Sequence, residues 1–439
     1  MSIDVVGSSP RRVGGIERVT GGQRYVADIR LPDVLHSRFV TLDCARARIL
    51  AIDTTAAEQV PGVRLVMTAA DLPRPVPRFG PQFQDRPILA VGETKYHGEP
   101  VAAVAADSKD AAEAAARLVK VEYEELPGGV FSVATALDPG SPLVQDPALR
   151  PGDPLAATNV IHEHRYGWGD VDAAAADLTI ENRYSFPMVT HFAIEPHAFM
   201  AAPDGDGIAC WSSIQHPYLL QKMLARILGL PLAKVRVYAP DPGGGFGGKQ
   251  NPKLEPLVAY MALRAGRPVR LVLTLEQTFQ AVRRASAEVR VRTGFCADGT
   301  LAFQDVEADY LIGAYVDIAD RVVSKGSYPA CGPYRVPAAR IVARSILSHT
   351  TPSTAFRGFG NPQVNWAVES NLDEGARALG IDRLEIRLRN LARHGEAFIP
   401  GDTPADGRWE EAVRRAAQLV GWGSPLPAGH GRGWRPPGR

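Results

Sequence analysis

Cysteine is scarce in this sequence: Cys44, Cys210, Cys296 and Cys331 are the four present among 439 residues, and no two lie close together. Zinc and iron–sulfur ligation use closely spaced cysteines, so this spacing excludes a metal cluster held by the chain's own thiols. Long apolar runs are missing as well, none reaching the roughly 18 residues that a membrane span needs. The start, Met1 to Arg12, has Arg11 and Arg12 but no apolar stretch behind them. That predicts a soluble, cytoplasmic chain without its own export signal. Charge of one sign is also lacking, because 49 basic residues face 48 acidic ones and leave a formal net charge of +1. No overall field draws nucleic acid or an anionic membrane, so partners have to be argued from local sites.

What is present is ordinary globular material, 45% hydrophobic and 22% charged, long enough for two or three domains. Arg24 to Pro127 alternates strand-like runs with an alanine-rich helix over Lys109 to Leu118 and a strand over Val119 to Tyr123. It reads as a compact module of α+β type. Residues 128–158 are rich in Pro, Gly, Asp and Ser with little apolar periodicity, which predicts an exposed linker. Beyond it, strands at Lys234 to Tyr238 and Val269 to Leu273 sit among helices at Tyr218 to Leu228, Leu254 to Arg264 and Asn365 to Leu379. Ala297-Asp298-Gly299-Thr300 between two alternating runs signals a hairpin. A last helix, Trp409 to Val420, precedes a Gly- and Pro-rich tail over 423–439 that is expected to be disordered.

Two glycine-rich loops carry the chemical signal. Asp241 to Gln250 reads DPGGGFGGKQ, with five glycines in the six positions from Gly243 to Gly248. Such backbone approaches a ligand closely and turns N–H groups toward an anion or oxo group. A P-loop reading fails at Gln250, where a magnesium-binding hydroxyl belongs, and a dinucleotide reading finds its acidic residue, Glu276, too far along the chain. The second loop, Thr354 to Gln363, reads TAFRGFGNPQ. Alone it could be a tight turn packing Phe356 and Phe359 into a core. Together the two loops could line one pocket from two sides.

These loops, with Val19-Thr20-Gly21, Tyr25-Val26-Ala27-Asp28 and Tyr96-His97-Gly98-Glu99-Pro100-Val101 upstream, resemble the large subunits of molybdenum hydroxylases of the xanthine dehydrogenase and aldehyde oxidase family. The resemblance runs from about Val13 to about Trp422. It implies an α+β fold: an extension over 1–18, an α/β hammerhead domain over 19–127, the linker, and the first molybdenum-cofactor-binding domain over 159–422. The family's second cofactor domain is expected to be absent.

From the resemblance, Gln215, Gly245, Phe246, Gly247 and Arg357 inherit contact with the cofactor, with Gln215, Phe246 and Arg357 near the oxo ligands of the metal, to which no side chain ligates directly. Phe359 inherits the place of a ring that stacks on a planar substrate. Gln250 and Lys325 stand where purine-oxidising relatives carry Glu and Arg, so an aldehyde or an N-heterocycle is expected in place of xanthine. The cofactor is molybdenum molybdopterin, in its plain or cytosine dinucleotide form. [2Fe–2S] clusters and FAD would lie on partner subunits, and water would supply the oxygen.

The family's catalytic glutamate lies in the carboxy-terminal half that this sequence does not reach, so no catalytic base is identified. Glu195 and His197 are the only nearby titratable cluster, and they read more simply as buried structural groups. The sequence therefore predicts a truncated large subunit, from a fragment, a frameshift or, less readily, a natural split. The alternatives are an inactive fragment acting as a binding or assembly module and, last, a nucleotide-binding protein using Gly243 to Lys249.

Overall fold

Two mixed β-sheets carry the chain, and the computed structural model describes residues 6–423. The first has seven strands in the order Val235–Tyr238, Gly207–Ser212, Ala198–Asp204, Val269–Val272, Leu35–Val40, Ala102–Ala106, Val63–Thr68. Its middle joins distant parts of the sequence, since Leu35–Val40 pairs in parallel with Val269–Val272, Leu35 opposite Val269. The first module is therefore not free-standing. Ala102–Ala106 is buried at all five positions, as a strand covered on both faces must be, and the ladder it belongs to continues into the later part of the chain.

The second sheet has five strands, ordered Leu178–Phe186, Ser286–Phe295, Leu301–Gly313, Ala338–Leu347, Val160–Trp168. The expected hairpin is present: Gly299 takes the positive φ of 84° that the turn requires, and Cys296 and Thr300 close it at 2.8 Å. Asn361–Leu379 lies across this sheet, its buried Asn371 donating to Thr293 Oγ1 at 2.8 Å and accepting from Asn182 at 3.0 Å. One core, built on Phe295, Tyr310, Ile341 and Leu372, sits under the five-stranded sheet. Another, with Leu35, Met67, Leu224 and Met261, sits under the seven-stranded one.

Residues 128–158 correct the expectation of an exposed linker. Val130 and Val144 are fully buried, and Ser132 caps a short helix, Val133–Leu137. Arg150, 5% exposed, donates to Asp153 and to the carbonyls of Leu155, Ala156, Thr158 and Val160. Composition misleads here because an arginine inside the turns satisfies the backbone that would otherwise need water. The tail expected to be disordered lies, apart from Gly423, outside the described residues. Among the described residues no helix is long and apolar enough to cross a membrane.

The two sheets each deliver one glycine loop. The first leaves the Val235–Tyr238 strand and leads to the helix Glu255–Ala265. The second leaves Ala338–Leu347 and runs directly into Asn361–Leu379, with Pro362 in the first helical turn, where proline costs no hydrogen bond.

Candidate functional site

The loops meet. Arg357 N–H donates to the Phe246 carbonyl at 2.8 Å, and Gly247 packs so closely on the second loop that a Cβ there would lie 2.6 Å from the Ala355 carbonyl oxygen. Phe246 takes φ 50° and Phe359 φ 52°, backbone that side-chain-bearing residues seldom adopt, so each loop holds one aromatic residue in a left-handed turn. The Arg357 N–H is thus committed to the other loop. Phe246 N–H, in contrast, has no partner among the described residues.

Gln215 docks on the same loop at two points. Its own N–H donates to the Lys249 carbonyl at 2.8 Å, and its Oε1 accepts from Gly247 N–H at 3.0 Å. With Oε1 occupied by a donor, the exposed amide Nε2 is left to donate outward. Gly245 has no room for a side chain, because a Cβ there would come within 2.9 Å of Gln215 Oε1.

Beneath the first loop is an ion pair. Lys249 Nζ donates to Glu195 Oε2 at 2.7 Å and to the Glu195 carbonyl at 2.9 Å, and Gly243 N–H adds a bond to Oε2 at 2.7 Å. Glu195 is therefore a structural anchor, with a lysine and a backbone N–H as its partners. His197 beside it is buried, and that burial, with Lys249 and Lys253 nearby, pushes its pKa well down, so it is held neutral.

The second loop rests on a stack. His191 lies on Phe356 with ring centroids 4.3 Å apart and planes 20° apart, and the Arg284 guanidinium sits 4.2 Å from the same ring. Arg284 also donates to the Arg357 carbonyl at 2.8 Å, and His191 Nε2 lies 2.8 Å from the Ala355 carbonyl. Burial first, then Lys253 and Arg284, push the His191 pKa down to about 4 from 6.5, against the opposing Ala355 bond. Its Nδ1 is buried without a partner, so a second proton would meet no acceptor.

Unfolded, the ring takes that proton near 6.5, so its contribution to stability is complete above that pH and is lost as pH falls from 6.5 towards 4. His349, pushed by burial to about 4, adds a loss of the same sign. Each is worth up to roughly 3 kcal/mol. Urea midpoints measured across that range should fall with acidification. His197, lowered well below its usual value, adds a third loss of that sign, so in His191→Gln, which keeps an N–H for Ala355 without titrating, about a third of the fall should vanish.

Both loops are tied together from below by Asp317, which sequence reasoning missed. Its carboxylate accepts from Lys253 Nζ at 2.6 Å, Asn251 Nδ2 at 2.7 Å and Thr354 Oγ1 at 2.8 Å. Asn251 and Lys253 follow the first loop and Thr354 opens the second, and that adjacency was the available signal. Asp317 itself belongs to no motif.

The expected substrate residues are arranged less closely. Gln250 turns toward His216, 3.5 Å away, and its Oε1 is buried without a donor. Lys325 is exposed on the helix Ala319–Ser327, its ammonium 6.0 Å from the Tyr328 ring, and it shares no contact with Gln250. Phe359 packs part of its ring on Ile318, Val322 and Ala355. Gly326 in the same helix touches the second loop, where a Cβ would stand 2.4 Å from Gly360 Cα. Backbone on both sides cannot yield cheaply, so Gly326→Ala should cost about 1–3 kcal/mol, measured as a lowered denaturation midpoint.

Residues 154–391 match the molybdopterin cofactor-binding domain family, and residues 20–127 match the aldehyde oxidase and xanthine dehydrogenase a/b hammerhead domain. The nicotinate dehydrogenase large molybdopterin subunit of Eubacterium barkeri is 31% identical, with 95% of this chain and 98% of that one covered. A probable xanthine dehydrogenase subunit of Bacillus subtilis is 32% identical over 88% of this chain and 51% of its own length. Among solved structures, quinoline 2-oxidoreductase from Pseudomonas putida 86 superposes with a TM-score of 0.84 at 28% identity, covering 94% of this chain and 54% of that one. The aldehyde oxidoreductase of Desulfovibrio gigas gives 0.82 at 30%, covering 93% and 46%. The chain thus spans about half the length of several relatives and nearly all of one.

Proposed function

The chain belongs to the xanthine dehydrogenase and aldehyde oxidase family of molybdopterin-dependent oxidoreductases, and from that premise we propose that it forms one wall of a molybdenum site that hydroxylates an aldehyde or an N-heterocycle. The observation that carries this is the junction of the two loops, Arg357 N–H on the Phe246 carbonyl with Gln215 docked on Gly247. The residues fit the cofactor: Gln215 Nε2 and Phe246 N–H are donors left free, on backbone too tight to admit side chains, and electron-rich oxo groups are what such donors suit. When bound, molybdenum molybdopterin, plain or as the cytosine dinucleotide, supplies the two-electron redox chemistry with water as oxygen source.

The chain's own residues then position and do not transfer protons. Gln215 Nε2 and Phe246 N–H would hold the metal's oxygen ligands, Gly247 fixes Gln215 through its Oε1, Arg357 fixes the spacing of the loops, and the exposed part of Phe359 offers a flat face to a planar substrate. Gln250 presents a neutral amide where a charged pair would favour a purine. Glu195 is committed to Lys249 and Gly243, so it is not the catalytic base. Phe192, Ile194 and Phe246, 59%, 92% and 46% exposed, rim the loops and suit a covering protein surface. Electrons leave through [2Fe–2S] and FAD partner subunits.

The test is molybdenum per chain, by elemental analysis of protein from its native host with copurifying subunits identified. Near-stoichiometric metal with an iron–sulfur partner is expected. A lone, metal-free chain would instead favour an inactive fragment acting as an assembly module.

A further inference from the structure

On the outer edge of the five-stranded sheet, away from the glycine loops, we propose a second metal site: His162, His164 and Asp320 form a three-ligand seat for a divalent transition ion, zinc foremost. His162 and His164 stand two residues apart on the edge strand Val160–Trp168, so both rings leave the same face. They stack with centroids 4.3 Å apart and planes only 6° apart. Asp320 comes from the first turn of the helix Ala319–Ser327, and its Oδ1 lies 2.9 Å from His164 Nε2. One ligand atom from each of the three side chains falls within 4.8 Å of the other two.

Ligands of a tetrahedral zinc stand about 2.0–2.2 Å from the metal, and so about 3.3–3.5 Å from one another. His164 and Asp320 are already at that separation or closer. His162 is exposed, so a modest rotation of its side chain supplies the remaining approach without moving backbone. Asp320 is 9% exposed and fixed by Ser345 Oγ, which also donates to Oδ1 at 2.9 Å, while Oδ2 accepts no hydrogen bond among the described residues. Two imidazoles and a carboxylate make a borderline N/O donor set, suited to zinc and, by the usual affinity order, to copper(II) and nickel. The exposed side of His162 leaves the fourth position to water.

The ion would complete a seam that the fold has half built. Tyr166, next on the same face of the strand, meets Ser324, one helical turn after Asp320, at 2.9 Å. An ion at the other end pins the edge strand to a helix whose Gly326 abuts Gly360 of the second loop. Its role is thus structural, and it stands independently of molybdenum.

Isothermal titration of the tag-free full chain with zinc chloride tests this, alongside melting curves. One zinc per chain is expected at this seat, with a melting midpoint raised by about 2–4 °C at a hundredfold excess over Kd. His162→Ala, which removes an exposed ring and should leave the fold intact, is expected to weaken binding by about tenfold or more and so to cut the shift to about half or less at the same zinc concentration. Asp320→Asn should weaken it too, while His394→Ala should change nothing. Equal zinc binding by wild type and His162→Ala, or no binding by folded wild-type chain, would overturn the proposal.

Discussion

Lys249→Met is expected to destabilise the chain by about 3–5 kcal/mol, the usual cost of leaving a buried charge without its partner. The two side chains are 3% and 7% exposed, so water cannot take over the role of the ammonium. Glu195 would keep only the Gly243 N–H on Oε2, with Oε1 already lacking any partner. Glu195→Gln should cost about as much, since it leaves the lysine buried instead. The double variant Glu195→Gln/Lys249→Met is expected to recover about 2 kcal/mol relative to the sum of the singles, because it strands neither charge. Urea unfolding of the four proteins measures this directly. If the effects simply add, the pair is not coupled and Lys249 does not hold up the loop.

That pair also shows where sequence reading stops. The density of glycine from Gly243 to Gly248 is visible in the sequence, and so is its position between a strand and a helix. Lys249, in contrast, invites comparison with a phosphate-binding lysine, and only the fold reveals that it points inward to a carboxylate 54 residues upstream. Gln215 was found by resemblance, since a lone glutamine has no pattern of its own. Local features such as the Asp298-Gly299 turn and the Lys109–Leu118 helix follow from short-range chemistry and are plain in the sequence.

Long-range pairing is not plain. Leu35 and Val269 are neighbours across one ladder, yet neither strand's period-two pattern names its partner, so a module that looks complete over its first hundred residues is continuous with the next. The start of Asn361–Leu379 is a similar case. The helix expected from Asn365 begins at Asn361, with Pro362 in its first turn, which moves it up against the loop and brings Gly360 to Gly326. Buried polar residues such as Asp317 and His191 are the least legible, because their role depends on groups assembled from separate segments.

Asp317→Asn should be the more damaging change for the site as a whole. Asp317 sits at φ 49°, a backbone conformation that asparagine accepts readily, so the substitution alters charge and donor pattern while leaving the turn unstrained. The native carboxylate offers only acceptors, Oδ2 to Lys253 and Oδ1 to both Asn251 and Thr354. An amide must turn its NH2 toward one of these donors, and Lys253, with its side chain 2% exposed, loses its counter-charge in either orientation. A loss of about 3–5 kcal/mol follows from the stranded ammonium. Because the donors come from both loops, the Arg357–Phe246 junction should loosen with it. Hydrogen exchange at the Arg357 amide should then accelerate at least tenfold more than at amides of the Asn361–Leu379 helix. Uniform acceleration across the domain would mean that Asp317 contributes global stability alone, and that the spacing of the loops is set by the His191–Phe356–Arg284 stack.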